Sequence, residues 1–308
     1  MFSKRFLGVK IALLLCLIGI APLLWAQQSQ FAYNQGVPIH YRVFGSGEPL
    51  LIINGGPGLD SDGFVYLAKK LSKHNQCIIY DQRGMGLSKV AIPDKNTINM
   101  AQMAQDMEVL RQHLGLEAWH ILGHSFGGIM ATYYAHLYPE RIKKLILSSS
   151  GGMDMAFMQT IGGEINKKLS KEERKQLAYW TDKLEKGDTS YQTRFERAKV
   201  LAKPYLQNPE HIPTLAERLT RVNYEINELV VQDLLALNYD YTEKFKQFTK
   251  PVLVLHGRQD VIQVRIAQKT AASFSKSRLV LLNNTAHYGW LDSPDRYFAE
   301  IETFLKVQ

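Results

Sequence analysis

Trp119-His120-Ile121-Leu122-Gly123-His124-Ser125-Phe126-Gly127-Gly128 is the stretch from which the rest of the chain is read. Trp119–Leu122 is a short apolar run of strand character, and residues 127–138 have a helical pattern. Four residues with glycine on both sides of Ser125 must therefore turn a strand sharply into a helix. The same alternation continues in both directions. Upstream, Leu50–Ile53 reads as a strand ending in Asn54-Gly55-Gly56-Pro57-Gly58, a loop that no regular element could contain. A helical stretch to about Leu71, the strand Cys77–Tyr80 and a helix over Asn99–Leu114 follow. Phe31–Asn34 and Val37–Phe44 flank Gly36 like a hairpin. Downstream comes the strand Leu145–Leu147. Short apolar strands alternating with helices predict an α/β fold, with a mostly parallel sheet covered on both faces.

From Gly152 to Thr249 the alternation stops, and the residues are charged and helical in pattern, as in Lys167–Glu185 and Leu215–Leu237. Strand Pro251–Leu255, helix Ile262–Phe274, strand Arg278–Leu282 and helix Asp295–Leu305 then restore it. The expected division is a segment 1–26, a first core part 27–151, a helical cap insertion 152–249 and a second core part 250–308. Nothing in the order suggests a second independent domain.

The 308 residues are 45% hydrophobic and 21% charged, a globular composition that excludes disordered and collagen-like chains. The 37 Lys+Arg against 29 Asp+Glu give +8, spread with no basic run longer than two, so no nucleic-acid partner is expected. Lys4, Arg5 and Lys10 precede the apolar run Ile11–Ile20, and Ala26 offers a small residue for cleavage. This pattern predicts a signal peptide and an exported protein, periplasmic or secreted. The alternative is a retained N-terminal anchor, which would be the chain's contact with a membrane. Cys16 lacks the small residues before it that lipid attachment would need. Once segment 1–26 is removed Cys77 stands alone, which leaves no intramolecular disulfide, and its place in an apolar strand predicts an inert buried thiol.

A serine on a strained strand-to-helix turn has its hydroxyl lifted above the sheet, with a helix N-terminus aimed at the reacting oxygen. Ser125 is thus the candidate nucleophile. Such a serine needs a base and an orienting acid, which in this architecture follow it in the order acid, then histidine, on loops after later strands. Asp260 follows the strand Pro251–Leu255, and His287 follows Arg278–Leu282. Asp292 is the alternative acid, though its position suits a cap on the last helix. His256 sits where it would pack or hydrogen-bond. Backbone N–H groups of Phe126 and of the glycine loop can hold the developing oxyanion, with Gly56 the first choice there and Gly55 the second. His120 and His124 lie across a strand and its turn and cannot share a helical face, so neither a metal nor a cofactor is expected.

Four motifs carry a family resemblance. They are Gly55-Gly56-Pro57-Gly58, Asp81-Gln82-Arg83-Gly84-Met85-Gly86-Leu87-Ser88, Gly123-His124-Ser125-Phe126-Gly127-Gly128, and the Asp260 and His287 loops. Together they resemble the α/β-hydrolase superfamily and, within it, the proline iminopeptidase-like (prolyl aminopeptidase) group. The Asp81–Ser88 element is the most family-specific, and its expected task is structural, Asp81 and Arg83 bracing the active-site floor. Asn54 stands where the family usually has His, and Phe126 where members that remove N-terminal proline often have Trp. The resemblance implies a serine hydrolase that forms an acyl-enzyme and releases N-terminal residues from short peptides. It also implies acidic cap side chains for the substrate amine, for which Glu225 and Glu228 are the candidates, with Asp240 further along. A carboxylesterase acting on small acyl esters with the same triad is the alternative, favoured if the cap pocket lacks convergent carboxylates. A non-catalytic binder on the same fold is the third reading.

Overall fold

The computed structural model describes residues 29–306, so the targeting-segment reading of residues 1–26 lies outside the described residues. The first strands, β1 (Gln30–Asn34) and β2 (Val37–Phe44), pair antiparallel across the turn at Gln35-Gly36. They are followed by β3 (Glu48–Ile53), α1 (Val65–Leu71), β4 (Asn75–Tyr80), α2 (Met100–His113), β5 (Trp119–His124), α3 (Phe126–Leu137) and β6 (Ile142–Ser148). The core resumes with β7 (Val252–Gly257) and β8 (Ser277–Leu282).

These strands form one sheet of eight in the order β1-β2-β4-β3-β5-β6-β7-β8. The pairings of β1 with β2 and of β2 with β4 are antiparallel, and every later pairing is parallel. The central strands β3, β5 and β7 are largely apolar because both of their faces are covered. Leu51 and Ile53 of β3 point into a cluster with Met107, Ile121 and Ile129, whereas Leu50 and Ile52 point into one with Leu67, Ile79 and Leu122. Cys77 is the free cysteine among the described residues; burial raises its thiol to about 12, so it stays protonated.

Between β6 and β7 the chain makes the helices α4 (Ile161–Lys168), α5 (Lys171–Glu185), α6 (Tyr191–Ala202), α7 (Ile212–Leu219) and α8 (Tyr224–Ala236). After β7 come α9 (Val264–Ala272), and after β8 the short α10 (Gly289–Asp292) and α11 (Pro294–Lys306). Two helices expected as continuous are broken. Lys167–Glu185 divides at Leu169-Ser170, where the Ser170 hydroxyl accepts from Glu173 N–H and Glu173 reaches back to Ser170 N–H. That reciprocal cap starts a new helix despite the continuous polar pattern. Leu215–Leu237 divides at residues 220–223, where the Asn223 side chain accepts from Ile226 N–H. No helix among the described residues is long and apolar enough to cross a membrane.

Candidate active site

Ser125 stands between β5 and α3 with φ 56° and ψ −119°, a left-handed backbone that a residue with a side chain rarely adopts. The core holds it there. Its N–H donates to Ser148 at 3.0 Å, and its carbonyl accepts from Gly128 and Gly151. The flanking glycines are needed for close approach. A Cβ on Gly123 would lie 2.3 Å from the Gly127 carbonyl oxygen, and one on Gly127 would lie 2.2 Å from that of Ile53.

Asp260 and His287 meet on loops after β7 and β8. His287 Nδ1 lies 2.9 Å from Asp260 Oδ1, with Nδ1–H donating to the carboxylate. The same oxygen accepts Ile262 N–H at 3.0 Å. Burial opposes charge on Asp260, yet His287, His256 and the Ile262 bond together hold its carboxyl below the usual range. His256 Nε2–H donates to the Ile262 carbonyl at 2.8 Å and lies 3.8 Å from Asp260 Oδ2. Asp292 makes no hydrogen bond to the His287 ring and does not cap the last helix. Its carboxylate accepts N–H groups from Ala286, Gln207 and Asn208, joining the His287 loop to the insertion.

Ser125, His287, Gly55 and Gly56 line one cavity of about 110 Å³. The Ser125 and His287 side chains share it without a hydrogen bond between them. Among the described residues no protein acceptor takes the N–H of Gly56 or of Phe126. Gly56 turns at φ 74°, and its carbonyl accepts from Leu59 N–H. His124 also lines the cavity, with its ring 4.6 Å from that of His287 and both nitrogens unpartnered. Burial, then the neighbouring His287, push its pKa well below the ordinary value, so it stays neutral. No sequence signal marked it beyond its place next to Ser125.

The loop after β3 is held from two sides. From the core, Gln82 donates to the Asn54 carbonyl at 2.9 Å, and Asp81 accepts from Ser61 N–H and Oγ and from Leu87 N–H. Burial resists the Asp81 charge, but these bonds and His40 bring it down to about 2. Arg83 turns elsewhere, to a two-pronged pair with Asp106 of α2. Asp81 and Gln82 therefore brace the floor, and Arg83 braces a helix.

From the insertion, Arg218 Nη2 donates to the Gly55 carbonyl at 2.9 Å, Asn227 Nδ2 to that of Pro57 at 2.8 Å and Asn223 N–H to that of Gly58 at 2.8 Å. The Tyr205 carbonyl accepts His287 N–H at 3.1 Å. Sequence reasoning missed Arg218, Asn223, Asn227 and Tyr205 because their partners lie far along the chain. A second cavity of about 530 Å³ adjoins the first across Leu215, Arg218 and Tyr288, and is lined by Tyr66, Phe195 and Trp290 among others.

The residues expected to hold a substrate amine are elsewhere. Glu225 and Glu228 are exposed on α8 and line neither cavity. Glu225 occupies the first turn of α8, where a carboxylate complements the helix N-terminus, and Glu228 accepts from Gln232. Asp240 is exposed and bonded to Thr242. Among the described residues no group of three or more His, Cys, Asp or Glu is arranged to hold a metal ion.

The sequence profile of the alpha/beta hydrolase fold matches residues 48–294. A proline iminopeptidase of Saccharolobus solfataricus is 28% identical over 277 residues, covering 86% of this chain and 87% of its own. Among solved structures, a thermophilic esterase from Thermogutta terrifontis aligns with a TM-score of 0.69 at 22% identity, over 91% of this chain and 98% of that one. A proline iminopeptidase from Mycobacterium smegmatis gives 0.69 at 19% identity, over 90% and 97%. The two structures speak for the shared fold. The profile spans β3 to β8 and everything between them, so the chain is a hydrolase of the α/β-hydrolase fold family, similar within it to the proline iminopeptidases.

Proposed function

We propose that the chain is a serine hydrolase, with Ser125 as nucleophile, His287 as base and acid, and Asp260 orienting His287. The observation that carries it is one cavity bordered by Ser125, His287 and Gly56, with Asp260 2.9 Å behind the histidine. Ser125 Oγ attacks the substrate carbonyl while its proton passes to His287 Nε2. The N–H groups of Gly56 and Phe126 receive the oxyanion. The bond to the leaving group breaks as His287 returns the proton to it, leaving an acyl-enzyme. Water then attacks by the same route, releasing the acid and regenerating Ser125. Asp260 keeps the imidazole in the tautomer that presents Nε2, and its depressed pKa keeps it charged while His287 gains its proton.

The names of the similar proteins favour an aminopeptidase releasing N-terminal residues from short peptides. A specific observation favours a second reading, a carboxylesterase of small acyl esters: no carboxylate lines the cavity around Ser125. Helices α4–α8 serve in either case as a cap. Export with removal of residues 1–26 belongs to the same proposal, and an intact Met1 in the exported protein would overturn it. Proline and alanine anilides and a p-nitrophenyl ester, offered to the purified protein and to Ser125→Ala, test the rest. Turnover of esters alone would remove the aminopeptidase reading, and activity surviving in Ser125→Ala would remove the mechanism.

A further inference from the structure

Arg218 is the charged side chain that needs an explanation. It lies on α7 at 5% exposure, and no carboxylate among the described residues comes within ion-pair distance of it. Its guanidinium has five N–H donors. Two acceptors meet them: the Gly55 carbonyl at 2.9 Å and the Tyr288 hydroxyl at 3.4 Å. Nε, buried, has none. The remaining compensation is the face of Phe64, 5.3 Å away. Burying a cation without an anion is costly, and proteins ordinarily supply one. Even Arg221, three residues on and exposed, has a carboxylate, Asp60 at 3.1 Å.

The unpaired charge also has a revealing position. Arg218 lines the small cavity with Ser125 and His287, and it lines the larger one as well, so it stands at their junction. A substrate whose carbonyl reaches Ser125 shares the small cavity with the Arg218 side chain. The small cavity has no carboxylate in its wall, so a positively charged amine there would face Arg218 with nothing to offset the repulsion. A carboxylate there would complete the ion pair that the protein leaves open, in the planar arrangement that guanidinium favours.

We propose that Arg218 is a specificity-determining residue that recognises a carboxylate on the substrate, a few atoms from the bond that is cut. The hydrolase thus prefers acyl compounds carrying a negative charge near the scissile carbonyl. This rests on the acyl-transfer reading of Ser125 and, of its two substrate classes, sides with the ester against the free N-terminal amine.

Arg218 also holds the Gly55 carbonyl, so its replacement is expected to slow every substrate, and the informative quantity is a ratio. The kcat/KM of the p-nitrophenyl hemiester of adipate is compared with that of p-nitrophenyl hexanoate, in the wild type and in Arg218→Met and Arg218→Lys. The wild type should favour the charged ester by about 10- to 100-fold, the range of a charge-assisted pair. Arg218→Met should bring the ratio near one, mainly through KM, and Arg218→Lys should keep part of it. A wild-type ratio of one or less, or a ratio unchanged in Arg218→Met, would overturn the proposal; a merely structural Arg218 would lower both esters together. Calorimetry of the hemiester with Ser125→Ala, with and without Arg218→Met, reads the same preference where no turnover occurs. Binding that depends on Arg218, in an enzyme inert to both esters, would count for carboxylate recognition and against acyl transfer. Binding indifferent to Arg218 would count against recognition.

Discussion

The two halves of the cavity around Ser125 are anchored differently. Ser125 and Asp260 are fixed from below: their backbone and carboxylate bonds go to Ser148, Gly128, Gly151 and Ile262, all flanking the sheet. The Gly55–Gly58 loop and the His287 loop are held in large part from above. Their partners are Arg218, Asn223, Asn227, Tyr205, Gln207 and Asn208, all in the helical insertion. The difference teaches that the insertion does more than cover the site. In a trans peptide the C=O and the following N–H point in opposite directions. An arginine on the Gly55 carbonyl therefore sets the direction of the Gly56 N–H, the proposed oxyanion donor.

The comparison can be tested at either half. Asp260→Asn strikes the half held by the sheet, and kcat should fall by about 10⁴-fold with the fold intact, because the imidazole loses its tautomer. Circular dichroism alongside steady-state rates checks it. Acid should reach the same half next. His124 and His256, at the ends of β5 and β7, and His120 within β5 are buried with lowered pKa values, His120 to about 4. Burial is the leading cause in each. Between about pH 6.5 and those lowered values the unfolded chain binds protons that the folded chain does not, so stability falls as pH falls. Each histidine contributes up to about 1.4 kcal/mol per pH unit in that window. Melting temperatures from pH 7.5 to 5 should drop, and His120→Gln should flatten the slope.

Asn227→Ala tests the half held by the insertion. Losing the bond to the Pro57 carbonyl should lower kcat/KM by about tenfold, less than deleting an oxyanion donor outright. The effect should appear in kcat for neutral esters, and an unchanged kcat would refute the anchoring role. The smallest effect belongs to α5, which buries no residue and lines neither cavity. Ser170→Ala removes the reciprocal cap and should cost about 1 kcal/mol of stability, read by urea titration, with rates left within about twofold of wild type.

The same contrast explains which features the sequence reveals. The sheet and the Ser125 turn are legible because β3 to β8 carry compact apolar runs and because glycine at 123 and 127 answers a local steric demand. Asp260 and His287 are legible because they end two such runs. The bonds of the insertion leave no local trace. Arg218 and Gly55 are 163 positions apart, Asn227 and Pro57 are 170 apart, and nothing about Arg218 in its helix distinguishes it from an ordinary solvated cation. The periodicity of Leu215–Leu237 runs straight through the break at 220–223, because Asn223 ends one pattern without disturbing the spacing of the next. Glu225 drew attention as an acid in the insertion, and its actual place is the first turn of α8.

The bonds that join the insertion to the Gly55–Gly58 loop have a consequence for how such enzymes diversify. On the loop side every acceptor is a main-chain oxygen, of Gly55, Pro57 or Gly58. The loop therefore asks for donors at three places and is indifferent to which residues bring them. An unrelated run of helices that offered those donors could replace this one without any change to the catalytic half. New substrate preferences could then arise by exchanging one contiguous block of the gene, while the chemistry is inherited unchanged.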